Sequence, residues 1–154
     1  MKIIKLLIIT IVVMISTNVT SAQDTGYNVV TFALGSFDIT ILSEGTQTRK
    51  ADNLIGLTPE ISQKYAPEGT YDIAINAFLV RTLDQNILID AGMGSNLLEN
   101  LGTMLLTPDK INVILITHMH GDHIGGLLKD GNIVFPNADI YIPQPEYDYC
   151  HRDC

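Results

Sequence analysis

The sequence predicts a layered α/β fold on three observations. Between Asn86 and Ile116 a short apolar run, a helical leucine stripe and a second apolar run follow one another, the strand–helix–strand order of such folds. The apolar runs elsewhere are of strand length and bounded by Gly, Pro, Asn and Asp. Residues 23–154 suffice for one small domain, and no internal repeat, low-complexity tract or interdomain linker divides them.

The chain opens on a leader-like segment. Lys2 and Lys5 form a basic start, Leu6 to Ile15 is apolar apart from Thr10, and Thr20-Ser21-Ala22 offers a small-residue cleavage site before Gln23. The apolar stretch is shorter than the roughly 20 residues that span a bilayer. No Cys stands at the cleavage site to take a lipid. A signal peptide over residues 1–22 is expected, with a mature protein that is secreted or periplasmic and carries no membrane anchor.

Val29–Ala33 and Phe37–Leu42 read as strands of a hairpin around Gly35-Ser36, with Phe37, Ile39 and Ile41 on one face. Residues 43–53 are polar and read as a loop. Thr58-Pro59-Glu60 is a helix start, Thr58 capping and Pro59 in the first turn, and the helix ends near Tyr65 before Pro67. A second hairpin pairs Ile73–Leu83 with Asn86–Asp90 around Asp84-Gln85. Ser95 caps a helix ending near Leu106, in which Leu97, Leu98, Leu101, Met104 and Leu105 recur at helical spacing and pack on a sheet. Thr107-Pro108-Asp109 breaks it, and Ile111–Ile116 is the next strand. A short helix is expected from His123 to Leu128, a last strand at Ile140–Ile142, and a helix start at Pro145-Glu146.

Charge and cysteine content narrow the partners. Nine basic residues face seventeen acidic ones, a net charge of -8, and both lysines of the leader would be lost with it. Such a surface repels phosphate backbones and argues against nucleic acid. The partners expected are a small-molecule substrate and, as a homodimer, a second copy of the chain. Cys150 and Cys154 are the two cysteines, and in an oxidising compartment they could form a disulfide. They bracket His151, but with no second ligand pair this spacing is a weak metal signal.

The chemistry concentrates in Thr117-His118-Met119-His120-Gly121-Asp122-His123, which directly follows the Ile111–Ile116 run. Three of the four histidines lie there with one carboxylate, both good ligands for a cation such as zinc. In an extended segment His118 and His120 point to the same side and can grip one ion together. Asp122 and His123 stand where the chain turns into a helix and can face a second ion. Two ions close together can share one hydroxide and polarise a substrate oxygen. Two readings stand for Asp90: a carboxylate that accepts a ring N–H from a ligand His, or a turn residue for Gly92 and Gly94. Thr117 either steadies the loop through its hydroxyl or simply suits a strand end. No G-x-S-x-G elbow offers a competing nucleophile.

The His118–His123 run resembles the H-x-H-x-D-H signature of the metallo-β-lactamase superfamily. Leu88-Ile89-Asp90-Ala91-Gly92-Met93-Gly94 resembles that family's earlier strand and Asp-Gly turn, and Asn76-Ala77-Phe78-Leu79-Val80 the strand before it. Phe135-Pro136-Asn137-Ala138, Ile140-Tyr141-Ile142 and Glu146 resemble the branch that holds methyl parathion hydrolase-like enzymes and some lactonases. The resemblance spans about Val29 to Tyr149. It implies the N-terminal half of a four-layer αββα sandwich built from two similar halves. The family's remaining ligands, a His for the first metal, a bridging Asp and a last His for the second, lie in the second half and have no match here. The chain is therefore read as truncated, residues 23–154 being the first part of a longer domain. The resemblance further implies two Zn2+ ions, one on His118 and His120, the other on Asp122 and His123. Asp122 would also serve catalysis by orienting the attacking water or carrying its proton. The implied activity is hydrolysis of an ester, lactone or phosphotriester by a metal-bound hydroxide. Two alternatives stand beside it: a periplasmic metallo-β-lactamase, and an inactive half-domain that binds metal weakly.

Overall fold

The computed structural model describes residues 29–153. The signal peptide expected over residues 1–22, and Cys154 with the disulfide it could form, lie outside the described residues. Six strands form one sheet in the order β1-β2-β3-β4-β5-β8. β1 (Val29–Leu34), β2 (Phe37–Lys50), β3 (Thr70–Arg81) and β4 (Asn86–Ile89) make an antiparallel meander. β5 (Val113–Leu115) joins β4 in parallel, and β8 (Asp139–Tyr141) joins β5 in parallel. The crossover from β4 to β5 carries α2 (Leu97–Thr103), as a parallel pair requires. The crossover from β5 to β8 carries α3 (Gly121–Ile124) and a small hairpin, β6 (Leu128–Lys129) with β7 (Asn132–Ile133), which the sequence reading did not anticipate. α1 (Pro59–Tyr65) lies between β2 and β3, and α4 (Gln144–Asp153) follows β8. Among the described residues no helix is long and apolar enough to cross a membrane.

The core lies on one face of the sheet. Leu42, Ala77, Leu79, Leu88 and Ile114 stack across successive strands and meet Leu97 and Leu101 of α2, all fully buried. The opposite face is also apolar but only partly covered, with Phe32, Phe78 and Leu115 exposed. In β2 this reverses the weighting that alternation alone gives. Phe37, Ile39 and Ile41 do share a face, but the more buried face is that of Thr40 and Leu42.

Several elements follow their local chemistry. Thr58 Oγ1 accepts the Ile61 N–H at 3.3 Å and caps α1, Pro59 takes the first turn, and the helix stops at Ala66 before Pro67. The turn at 82–85 is held by Thr82, whose N–H donates to the Gln85 carbonyl at 2.9 Å. Other elements depart from the sequence reading. Residues 43–50, expected as loop, continue β2 through a bulge between Ser43 and Gly45, and their partners extend β3 back to Thr70. α2 is shorter than expected. Its N-cap is Asn96 rather than Ser95, and it ends before Leu105, which turns outward at φ 56° and is exposed. α3 begins at Gly121 rather than His123 and passes into a 3₁₀ turn over Gly125–Leu127.

Candidate metal centre

The site lies beyond the carboxyl ends of two parallel strands, where α/β sheets place their ligands. Asp90 directly follows β4 and Thr117 lies two residues past β5, and the Asp90 N–H donates to the Leu115 carbonyl at 2.9 Å, locking the two strand ends together. The chain bends at Thr117, reaches His120 in an extended conformation (φ -72°, ψ 155°) and then enters α3, whose His123 and Ile124 N–H groups donate to the His120 carbonyl. This brings His118, His120, Asp122 and His123 to one edge of the sheet.

Asp90 organises them. It is buried, and it holds a left-handed backbone at φ 59°, a conformation that non-glycine residues keep only where the surroundings enforce it. Its Oδ1 accepts the Thr117 N–H at 2.8 Å, and its Oδ2 accepts the Thr117 hydroxyl at 2.8 Å and His123 Nδ1 at 2.8 Å. A carboxylate only accepts, so His123 carries its proton on Nδ1 and leaves the Nε2 lone pair for a ligand. The Thr117 hydroxyl spends its hydrogen on Asp90, so its oxygen accepts from His118 Nδ1 at 3.2 Å. His118 is thereby assigned the same tautomer, with Nε2 open. Of the two readings of Asp90 the contacts display the carboxylate that accepts a ring N–H, here from His123, and Thr117 steadies the loop through its hydroxyl.

The donors stand in two pairs. His118 Nε2 lies 3.1 Å from His120 Nδ1. His123 Nε2 lies 3.7 Å from Asp122 Oδ2. With Zn–N bonds of about 2.0–2.1 Å, two nitrogen ligands of a tetrahedral zinc stand roughly 3.3 Å apart, so the donor set fits the ion expected. The rings of His118 and His123 are adjacent, centroids 3.8 Å apart, which sets the two pairs side by side. Among the described residues no group of three or more His, Cys, Asp or Glu side chains is placed to hold a metal ion. His151 stands apart, its ring packed on Tyr147 at 4.1 Å on α4.

Two clefts of about 330 Å³ each flank the cluster. One is lined by Ala74, Ile75, Asn76, Phe78, Asp90, Thr117, Asp122 and His123. The other is lined by His118, Met119, His120, Glu146, Tyr149 and Cys150. Glu146 Oε2 accepts the Met119 N–H at 3.1 Å, so α4 braces the loop between the first two histidines. Sequence reasoning gave Glu146 no contact, because nothing local ties a helix residue to a loop 27 positions earlier.

Residues 70–129 match the Metallo-beta-lactamase superfamily, so the chain carries a domain of that superfamily. Atrochrysone carboxyl ACP thioesterase of Aspergillus chevalieri is 33% identical over 110 residues, covering 68% of this chain and 35% of the relative. Ribonuclease Z of Saccharolobus islandicus is 50% identical over 52 residues, covering 34% of this chain and 17% of the relative. Among solved structures, AbOPH, a hydrolase of the β-lactamase superfamily, superposes with a TM-score of 0.71 at 33% identity, over 80% of this chain and 47% of that one. AidC, a dizinc quorum-quenching lactonase, superposes with a TM-score of 0.71 at 32% identity, over 79% of this chain and 47% of its own. The chain thus spans about a third or less of these curated relatives and about half of these solved structures.

Asp90→Asn is a clean probe of the network, because Asn also tolerates the left-handed backbone. Its amide cannot accept from Thr117 and His123 as the carboxylate does. We expect metal affinity to fall about 10–100-fold, the usual cost of losing an outer-sphere partner, with the fold retained. Chelator competition against the wild type measures it, and unchanged affinity would leave Asp90 as a turn residue only.

Proposed function

We propose that the protein carrying this chain is an exported, dizinc-dependent hydrolase of a small ester, lactone or phosphotriester. The observation that carries this reading is the pair of donor sets, His118 with His120 and Asp122 with His123, in which His118 and His123 are oriented by one Asp90–Thr117 network beside a cleft. The hydrolase and dizinc lactonase likenesses support the class of substrate.

Zinc bound here would lower the pKa of water towards neutrality and polarise the substrate's oxygen. The chain's own residues do the rest. His118 Nε2 and His123 Nε2 present lone pairs, and His120 Nδ1 lies 3.1 Å from the first of them. Asp90 and Thr117 keep the rings of His118 and His123 from turning over. The Asp122 carboxylate lines the cleft beside His123 and can hold a proton of the attacking water there. Phe78 and Ile75 give the same cleft an apolar wall suited to an uncharged substrate. The net charge of -8 weighs against a polyanionic one.

The test is metal analysis of the purified protein with turnover of a phenyl ester, a lactone and a phosphotriester, and nitrocefin as the β-lactam arm. We expect two zinc equivalents and turnover of one of the first three, lost with chelator and restored by zinc. A folded protein that binds no divalent metal overturns the reading. Nitrocefin turnover alone moves it to the β-lactamase alternative.

A further inference from the structure

Glu44 is a buried carboxylate remote in sequence from every proposed ligand. It continues the core-facing alternation of Thr40 and Leu42 along β2, at the bulge before Gly45. A charge on a core face is costly unless paired, and this one is held by two main-chain donors. Its Oε2 accepts the Ser95 N–H at 2.8 Å and its Oε1 accepts the Asn96 N–H at 3.0 Å. α2 has no capping side chain of its own, so the cap comes from across the sheet. The stem of Glu44 packs under Gly92, where a Cβ would meet its Cγ at 2.5 Å. Glu44 therefore clamps both ends of the Gly92–Asn96 turn.

The other side of that turn carries one of the two donor pairs. The Ala91 N–H donates to the His123 carbonyl at 2.7 Å, and the Gly126 N–H donates to the Gly92 carbonyl at 3.2 Å. Asp90, which orients His123, lies two residues before the turn. His118 rests on Thr117, which Asp90 also holds, and Glu146 of α4 takes the Met119 N–H between His118 and His120. We infer that Glu44 is a positioning residue for the Asp122–His123 pair, acting through the 92–96 turn and leaving the His118–His120 pair largely untouched. This rests on the proposed two-metal reading.

A one-sided effect separates positioning from plain stability. Glu44→Gln keeps the volume and loses the charge and one acceptor. Asn100→Ala is the control, removing a buried 2.8 Å bond from the Asn100 amide to the Ser43 carbonyl at the same strand–helix junction without touching the turn. The two metal affinities are read by chelator competition on the purified protein, and the geometry of each site by cobalt(II) absorption. For Glu44→Gln we expect one of the two affinities to fall about 10–100-fold, as for other outer-sphere partners, with one cobalt band altered. For Asn100→Ala we expect a lower melting temperature with both affinities unchanged. Equal loss at both sites, or no loss at either, overturns the assignment. If Glu44→Gln and Glu44→Asp both fail to fold, Glu44 is a folding determinant and the assignment is again wrong. Absence of two metals from the wild type is a different failure, that of the proposed function itself.

Discussion

His118→Ala and His120→Ala are each expected to reduce hydrolysis to background and to lower the metal content from two equivalents to one. The two ring nitrogens face each other at 3.1 Å, and among the described residues no third His, Cys, Asp or Glu joins them as a group that could hold a metal. Removing either ring halves that donor set, so the loss should exceed the roughly 10–100-fold typical of outer-sphere changes. His118 carries a further consequence. Its ring packs against that of His123, and its Nδ1 donates to the Thr117 hydroxyl, so His118→Ala should also loosen the neighbouring pair. The His120 ring contacts His118 and not the Thr117–Asp90 network, so the second metal should survive better in His120→Ala. The control is His151→Ala, whose ring sits on Tyr147 away from the cluster and which should leave rate and metal content unchanged. Stopped-assay turnover with parallel metal analysis reads all three. Full activity in either His118→Ala or His120→Ala would remove the cluster from the chemistry.

The centre of this site was legible in the sequence because its signal is local. An apolar run, a His-x-His step and an Asp-His pair at a helix start each act over a few residues, and a strand period of two already puts His118 and His120 on one side. The strand order around it was readable for the same reason. What holds the site was mostly not readable. Asp90 and Thr117 are 27 positions apart and Glu44 and Ser95 are 51 apart, so their hydrogen bonds exist only once β4 pairs with β5 and α2 docks on β2. Glu44 was hidden twice over. It lies in the polar stretch 43–53, which composition assigns to loop, whereas the bulge at Ser43/Gly45 lets the strand run on and aims one carboxylate inward. The alternation Thr40, Leu42, Glu44 was the available signal, and Gly45 was its punctuation. The helix stripe misled in one place. Leu105 keeps the spacing of a core residue, yet its backbone reverses before it and points it to solvent.

Gly126→Ala is expected to be the most destabilising single methyl in the chain's site region. Gly126 is buried and its φ is ordinary, so backbone freedom is not the reason for glycine there. The reason is space. A Cβ at 126 would overlap the Ala91 carbonyl oxygen and press on Leu97 Cδ2 at 3.1 Å. The carbonyl is fixed main chain within the turn that Asp90 opens and Glu44 clamps, so it cannot swing aside as a side chain would. Relief requires α3 to move off the turn, which breaks the Ala91–His123 and Gly126–Gly92 backbone bonds together. Overpacking of this kind costs about 1–3 kcal/mol and occasionally more, and loss of two buried hydrogen bonds adds to it. A destabilisation of about 3 kcal/mol or above is therefore expected, read from the denaturant midpoint, with metal affinity falling as His123 shifts. Gly125→Ala should cost less, because that position is exposed and its Cβ meets the Met93 carbonyl oxygen at 2.9 Å. Gly121→Ala meets nothing within 4 Å at the first position of α3 and should be neutral or mildly stabilising. The ranking 126 above 125 above 121 is the test. A Gly126→Ala protein as stable as the wild type would mean that α3 and the Asp90 turn do not pack as closely as described, and the positioning of His123 through that turn would lose its basis.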